Sequence, residues 1–166
     1  MKSLIIYYSR TGNTHFVAEE IAAELGSKLK QVIDEKNRSG LIGWIGAGFD
    51  AMRQKATQIK DIKITWDDFD LFFIGCPNWA GNLPPAIRAA LEKADLENKK
   101  IVLFCTQENS GAEKVFNSLR RLIKGAEIID EKYFNRVKNN QEKIKEEIKE
   151  WLVKFKTQSS KSKLNS

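Results

Sequence analysis

Ligand-forming side chains are scarce in this sequence. Two cysteines, Cys76 and Cys105, and one histidine, His15, occur in 166 residues. No zinc or iron–sulfur spacing can be assembled from so few, so no metal site is expected. In a reducing compartment the cysteines are expected to be buried packing residues, not a structural disulfide. Long apolar runs are also missing. Residues 4–8 are too short for the core of a signal peptide. The longest weakly polar stretch, residues 40–49, falls short of the roughly 18–20 residues that a membrane span requires. No membrane span is expected, and the reading is a cytoplasmic protein. Neither GxxxxGK(S/T) nor GxGxxG is present, and no internal repeat is visible. Gly46, Gly48 and Ala51 form a GxGxxA, but no convincing strand leads into it.

The composition is that of an ordinary single soluble domain, with 42% hydrophobic and 30% charged residues. Lys and Arg number 28 against 22 acids, a formal charge of +6. Beyond Lys156 only Lys161 and Lys163 are charged, so the body carries +4 of that total. Such an excess suits nucleic acid, an anionic membrane surface or an acidic protein partner. The basic residues are spread along the chain and no dense basic patch interleaves with aromatics. A lysine-rich solvated surface and no nucleic-acid partner are therefore expected.

Segments of strand character alternate with segments of helical period. Residues 2–8 read as a buried strand. Residues 14–25 read as a helix with Val17, Ile21 and Leu25 inward. Residues 30–33 are a weak strand and 71–75 a strong one. Residues 85–94 are a helix that turns Ile87, Leu91 and Ala94 inward and starts on prolines, where a missing N–H costs nothing. Residues 100–106 form the next strand, and 112–123 a helix with Val115, Leu119 and Leu122 on one stripe. Residues 126–134 hold a last strand, expected only in its first half. Residues 138–156 form an amphipathic helix with Ile144, Ile148, Trp151, Leu152 and Phe155 inward. Ser- and Lys-rich residues 157–166 read as a disordered tail. A glycine-rich insertion at about residues 37–60 breaks the pattern, with part of it, residues 49–55, reading as helix.

Alternating strands and helices imply a parallel sheet covered on both faces. Right-handed crossovers make it doubly wound, and ligands then bind beyond the carboxyl ends of the strands. The first strand runs into Ser9, Arg10, Thr11, Gly12, Asn13 and Thr14, and then into a helix. A helix start offers unpaired N–H groups and positive potential to an anion. Ser9, Thr11 and Thr14 add hydroxyl donors, and Gly12 lets the backbone close around a phosphate. A plain capping turn needs fewer hydroxyls than this. After the strand at 71–75 comes a Gly/Pro-rich loop containing Pro77, Asn78, Trp79, Ala80, Gly81 and Asn82. A planar aromatic beside a phosphate site suits stacking on a flat ring, although Asn78 and Asn82 also suit a plain turn.

The pattern Ser/Thr-x-Ser/Thr-Gly-x-Ser/Thr after an N-terminal strand resembles the FMN phosphate loop of the flavodoxin family. Residues 75–85 resemble that family's GxPxWxGxxPP loop, which lines the isoalloxazine ring. The loop at 106–111 stands where the family has its second flavin-contacting loop. The resemblance covers residues 1–155. It implies an α/β, flavodoxin-like, doubly wound five-stranded parallel sheet of order 2-1-3-4-5 over residues 1–156, with helices on both faces. It implies FMN as cofactor, phosphate held by residues 9–14, the ring flanked by residues 77–82, and the site completed by Thr106, Gln107 and Gly111. No side-chain acid or base is required of such a site.

Three departures stand out. Residues 106–111 contain no aromatic, which leaves one flavin face open to a nicotinamide or another substrate, or to cover by Trp44 or Phe49. The chain is basic, and few carboxylates, Glu108 and Glu113, stand in the flavin loops, so a very negative potential is not expected. The insertion implies a lid or partner surface. His15, in the first helical turn, reads as a solvent-facing residue with no catalytic partner. The functional reading is an FMN-binding redox carrier. The alternatives are an FMN-dependent NAD(P)H oxidoreductase with a quinone-like acceptor, and a flavin-free interaction module. The partner is a redox protein or NAD(P)H; the oligomeric state is not readable.

Overall fold

Apolar residues alternate between two sides along each central strand, and this decides the architecture. In a computed structural model, which describes residues 2–35 and 57–164, five strands form one parallel sheet of order β2-β1-β3-β4-β5. The strands are β1 (Ser3–Tyr7), β2 (Lys28–Gln31), β3 (Leu71–Pro77), β4 (Lys100–Gln107) and β5 (Glu127–Asn135). The helices of the described residues are α1 (Asn13–Leu25), α2 (Pro85–Leu91), α3 (Ala112–Leu122) and α4 (Gln141–Leu164).

On one side of the sheet Leu4, Ile6, Phe72, Ile74, Ile101 and Leu103 pack against α2 and α3. On the other, Ile5, Tyr7, Leu71, Phe73, Val102 and Phe104 pack against α1 and α4. Every inward residue expected on α1, α2, α3 and α4 belongs to one of these two clusters, and Phe116 of α3 joins them. Both faces of the sheet are thus covered, as a parallel sheet requires.

α2 ends at Leu91, short of the expected residue 94, and boundaries differ further from the sequence reading in four places. β2 lies two residues earlier than residues 30–33, because Leu4 to Tyr7 of β1 pair with Lys28 to Gln31. It is an edge strand with a largely exposed KLKQ sequence, so it carries little apolar signal. β5 runs through to Asn135 where only its first half was expected. Its charged middle is satisfied in place: Asp130 accepts from Trp151 Nε1 at 2.5 Å and pairs with Lys154, and Glu131 pairs with Arg120. β5 also holds an irregularity in register: Ile101 pairs with Ile128 but Val102 with Asp130, leaving Ile129 as an extra residue. α4 begins at Gln141, after a 3₁₀ turn at Val137–Asn139, and its helical backbone continues to Leu164, into the Ser/Lys-rich segment expected to lack order. No proline or glycine interrupts that stretch.

The helix expected at residues 49–55, the GxGxxA at 46–51, Trp44 and Phe49 lie outside the described residues. The chain re-enters beside β2, where Asp34 and Ile59 form an antiparallel bridge, and Ile59, Ile62, Ile64 and Trp66 pack on the core beside α2. Among the described residues no helix is long and apolar enough to cross a membrane.

Gly75 of β3 has a packing role. It pairs with Phe104 across the sheet, and a Cβ built on it would lie 1.9 Å from the phenyl Cζ. The ring therefore occupies the space that any other side chain would need. Gly75→Ala should destabilise the fold by about 1–3 kcal/mol or more, measured as a lower urea midpoint. Adding Phe104→Leu to the alanine variant should restore part of that loss.

Candidate functional site

The loops after β1, β3 and β4 meet at the carboxyl edge of the sheet, where its order reverses beside β1. The first runs through residues 9–14 into α1. Gly12 is the N-cap of α1, with φ of 92°, a left-handed conformation that favours glycine. Among the described residues no side chain caps the helix, and no acid stands in its first turn. The first N–H groups of a helix have no intrahelical partner, so this end is open and electropositive. Ser9 Oγ is buried and without a hydrogen-bond partner among the described residues. Thr11 and Gly12 are exposed, while Arg10 and Asn13 are half-buried.

Thr14 is buried, and its hydroxyl shares a 2.8 Å hydrogen bond with that of Thr106. Two residues expected at separate parts of the site thus join the first loop to the third. Asn13 Nδ2 donates to Glu108 at 3.5 Å across the same gap.

The second loop leaves β3 at Pro77. Asn78 N donates to the Thr106 carbonyl at 2.8 Å, and Asn78 Nδ2 donates to the Ser110 carbonyl at 2.7 Å and to Gln107 Oε1 at 3.3 Å. Asn78 Oδ1 accepts from Gly81 N at 2.6 Å. Trp79 and Asn82 exchange backbone bonds of 3.2 and 2.9 Å around a tight turn. Ala80 and Gly81 carry φ of 52° and 80° at its tip. The half-buried Trp79 ring meets Tyr8 edge-on at 5.7 Å, and the Arg10 guanidinium lies 5.8 Å from its centre.

The third loop is organised by Gln107, whose side chain is buried. Its Oε1 accepts from Ala112 N at 2.8 Å, and its Nε2 donates to Asn135 at 2.9 Å and to the Asn109 carbonyl at 3.4 Å. α3 also begins on a left-handed glycine, Gly111, with φ of 108°. Its first N–H is closed by Gln107, whereas no side chain among the described residues caps the first N–H of α1. Sequence reasoning missed the clasps made by Asn78 and Gln107, since an amide residue type gives no signal of the bonds it will make.

Cys76 and Cys105 face each other directly across β3 and β4, both fully buried. Hydrogen bonding to Cys105 and burial raise the Cys76 thiol well above its ordinary value, so it stays protonated. The pair is packing, as expected. His15 faces solvent in part, its side chain 43% exposed, and it also has two partners not expected from the sequence: Nδ1 lies 2.6 Å from Tyr7 Oη, and Nε2 lies 3.2 Å from Glu19. Burial and the Glu19 carboxylate raise the Tyr7 hydroxyl above its usual value.

Beside the third loop, a groove of about 860 Å³ runs between β5 and the first turns of α4. Lys132, Arg136 and Lys143 line it together with Glu108, Glu147 and Glu131, the last already paired with Arg120. Among the described residues no three His, Cys, Asp or Glu side chains are grouped to hold a metal ion.

A family model described as Flavodoxin (Flavodoxin_4) matches residues 2–155. The chain belongs to this flavodoxin family. Its fold is that of solved flavoproteins. One is a Lactobacillus acidophilus NCFM flavoprotein in complex with FMN, 22% identical, with 83% of this chain and 96% of that one aligned at a TM-score of 0.72. A second is oxidised flavodoxin 2 from Bacillus cereus, 20% identical over 95% and 99% of the two chains, with a TM-score of 0.59. A third is general stress protein 14 from Treponema denticola in complex with FMN, 14% identical over 95% and 99%, with a TM-score of 0.58. In the flavodoxin frame the three loops described above occupy the carboxyl edge at the switch point, and the sheet order and double covering agree with the sequence reading.

The Thr14–Thr106 bond ties two of these loops together, and its contribution is measurable. Thr14→Val strands the buried Thr106 hydroxyl and should cost about 1–3 kcal/mol of apoprotein stability. Thr14→Val with Thr106→Val removes both polar groups and should cost less than the sum of the two single changes. Urea unfolding of the four proteins in the cycle tests this.

Proposed function

We propose that this chain binds FMN and passes electrons through it. The observation that carries the reading is the buried, unpartnered Ser9 hydroxyl beside the uncapped start of α1. A phosphate at this end would accept from Ser9 and Thr11, from the open N–H groups that follow Gly12, and from Arg10. Asn13 and Thr14 would contribute backbone N–H groups, with the Thr14 hydroxyl already held by Thr106. Family membership and the FMN complexes of the Lactobacillus and Treponema proteins favour the same cofactor.

The flavin ring would lie between residues 77–82 and 106–111. Trp79 would lie against one of its faces, and the tip formed by Ala80 and Gly81 would offer backbone polar groups to its edge. Thr106, Gln107 and Gly111 shape this slot more than they fill it, because the two side chains are turned into the protein's own bonds. A Cβ on Gly111 would lie 2.9 Å from Asn78 Nδ2, so this glycine lets the two loops close up. Bound FMN supplies reversible one- and two-electron transfer. The protein supplies position, partial exclusion of water and the local field. With no membrane-crossing helix among the described residues, the reading is of a cytoplasmic carrier.

One feature favours a second reading, an FMN-dependent NAD(P)H oxidoreductase. Residues 106–111 carry no aromatic, so a flavin face on that side would be open to a nicotinamide.

Absorbance titration of apoprotein with FMN tests the proposal. Saturable binding is expected, weakened about tenfold to a hundredfold by Thr11→Ala and abolished by Gly12→Asp, which adds a negative charge and a strained φ. Absence of binding at high micromolar FMN would overturn the reading. Anaerobic reduction of the complex in two separate one-electron steps fits the carrier; steady turnover of NADH or NADPH fits the enzyme.

A further inference from the structure

We infer that the face around the flavin loops on the β3–β5 side docks an acidic electron-transfer protein. This rests on the proposed FMN function and adds the nature of the partner.

Two exposed cations from separate elements, Lys114 and Arg136, stand on this side beside Arg10, which the proposed phosphate would take up. Arg10 lies over Trp79 at 5.8 Å. Lys114, on the first turn of α3, lays its stem along the second loop: a Cβ on Gly81 would lie 3.0 Å from Lys114 Cδ. Arg136, at the end of β5, donates from Nε to the Glu108 carbonyl at 3.3 Å and reaches Asn109. It is held there in a left-handed conformation with φ of 49°. None of the three has a carboxylate partner among the described residues, and Lys114 and Arg136 are exposed.

The acids nearby offset them only in part. Glu113 is taken up by Arg120, which also holds Glu131; both carboxylates raise that guanidinium further above its ordinary value. Glu108 stands beside Asn13. Asp34 and Glu35 follow β2, at the opposite edge of the sheet. The carboxyl edge is therefore polarised, with its positive part where the second and third loops meet. An acidic surface would be steered there and oriented with its electron acceptor over the flavin loops. Apart from Arg136 and the Arg120-paired Glu131, the charges along the groove beside it are Lys132 and Lys143 against Glu108 and Glu147, and it adds no concentrated anion site.

Two inorganic probes test the surface and the transfer separately. Paramagnetic chromicyanide, [Cr(CN)6]3−, added to nitrogen-15-labelled protein should broaden the backbone amides of Gly81, Lys114 and Arg136 selectively. The broadening should fall in Lys114→Glu and Arg136→Glu, and to a lesser degree in Lys114→Gln and Arg136→Gln, which guard against loss of fold. This map does not require flavin. In the FMN-loaded, reduced protein, each ferricyanide ion takes one electron and becomes ferrocyanide. Two are consumed per two-electron-reduced flavin, and the flavin's protons pass to solvent. That rate should fall on the order of tenfold between about 10 mM and 0.2 M ionic strength. With hexaammineruthenium(III), which likewise takes one electron, the rate should rise instead. The glutamate variants should flatten or invert both slopes.

Unlocalised broadening, or the same salt dependence for both oxidants, would overturn the docking surface. NADPH that displaces chromicyanide and reduces the flavin would overturn it in favour of a dinucleotide site. Failure to load FMN would overturn the functional reading on which the inference rests, while the chromicyanide map would still judge the surface.

Discussion

The buried amide of Gln107 is the constraint on which the candidate site depends. Its oxygen closes the first N–H of α3 and receives Asn78, while its nitrogen reaches Asn135 at the end of β5. One side chain thereby fixes four elements relative to one another at the end of β4. A buried polar group of this kind is costly when any partner is missing and rigidifying when all are present. The Thr14–Thr106 hydroxyl pair, on the adjacent residue of the same strand, extends the constraint to α1. The three loops are thus held by the protein's own bonds, with no ligand required to bring them together.

Against that satisfied network, the start of α1 is the exception. Two glycine-started helices open at the same edge, and one of them is closed by Gln107 while the other has no side-chain cap among the described residues. Buried polar atoms in folded proteins nearly always have partners, so a lone Ser9 hydroxyl beside an uncapped helix end marks where an external group belongs. Surrounding charge then bears on what approaches from outside. Lys114 and Arg136, without a carboxylate partner among the described residues, leave this part of the edge positive beyond what a phosphate would take up at Arg10.

How much of this was legible in the sequence follows from how each signal arises. The central strands were readable because burial on both faces demands continuous apolar runs such as LFFI and IVLF. Helices α1 to α4 were readable from their periodicity, and the loops from hydroxyls, glycines and prolines at strand ends. β2 was misplaced because an exposed edge strand has no such demand on it. β5 was truncated because Asp130 and Glu131 break the apolar pattern, and their partners, Trp151, Lys154 and Arg120, lie 10 or more residues away in sequence. The partners of His15 escaped for a related reason: Tyr7 reads as a strand-core residue, and only the turn between β1 and α1 brings its hydroxyl to the imidazole.

The extra residue in β5 is absorbed where it occurs, which gives this strand a tolerance for a change of length at that one point. Before it, Ile128 shares a side with Ile101; after it, Asp130 shares a side with Val102 and faces α4, while Glu131 shares a side with Leu103 and faces α3. Because successive residues of a regular strand point to opposite faces, the irregularity at Ile129 takes up the additional residue without shifting the phase of those that follow. A chain lacking residue 129 would pair residue 128 with Ile101 and residue 130 with Val102 in unbroken alternation, keeping Phe134 on the α1–α4 side and Asp130 and Glu131 beside the cations that neutralise them. Homologous chains that preserve this packing are therefore expected to vary in the presence of residue 129 as well as in its identity.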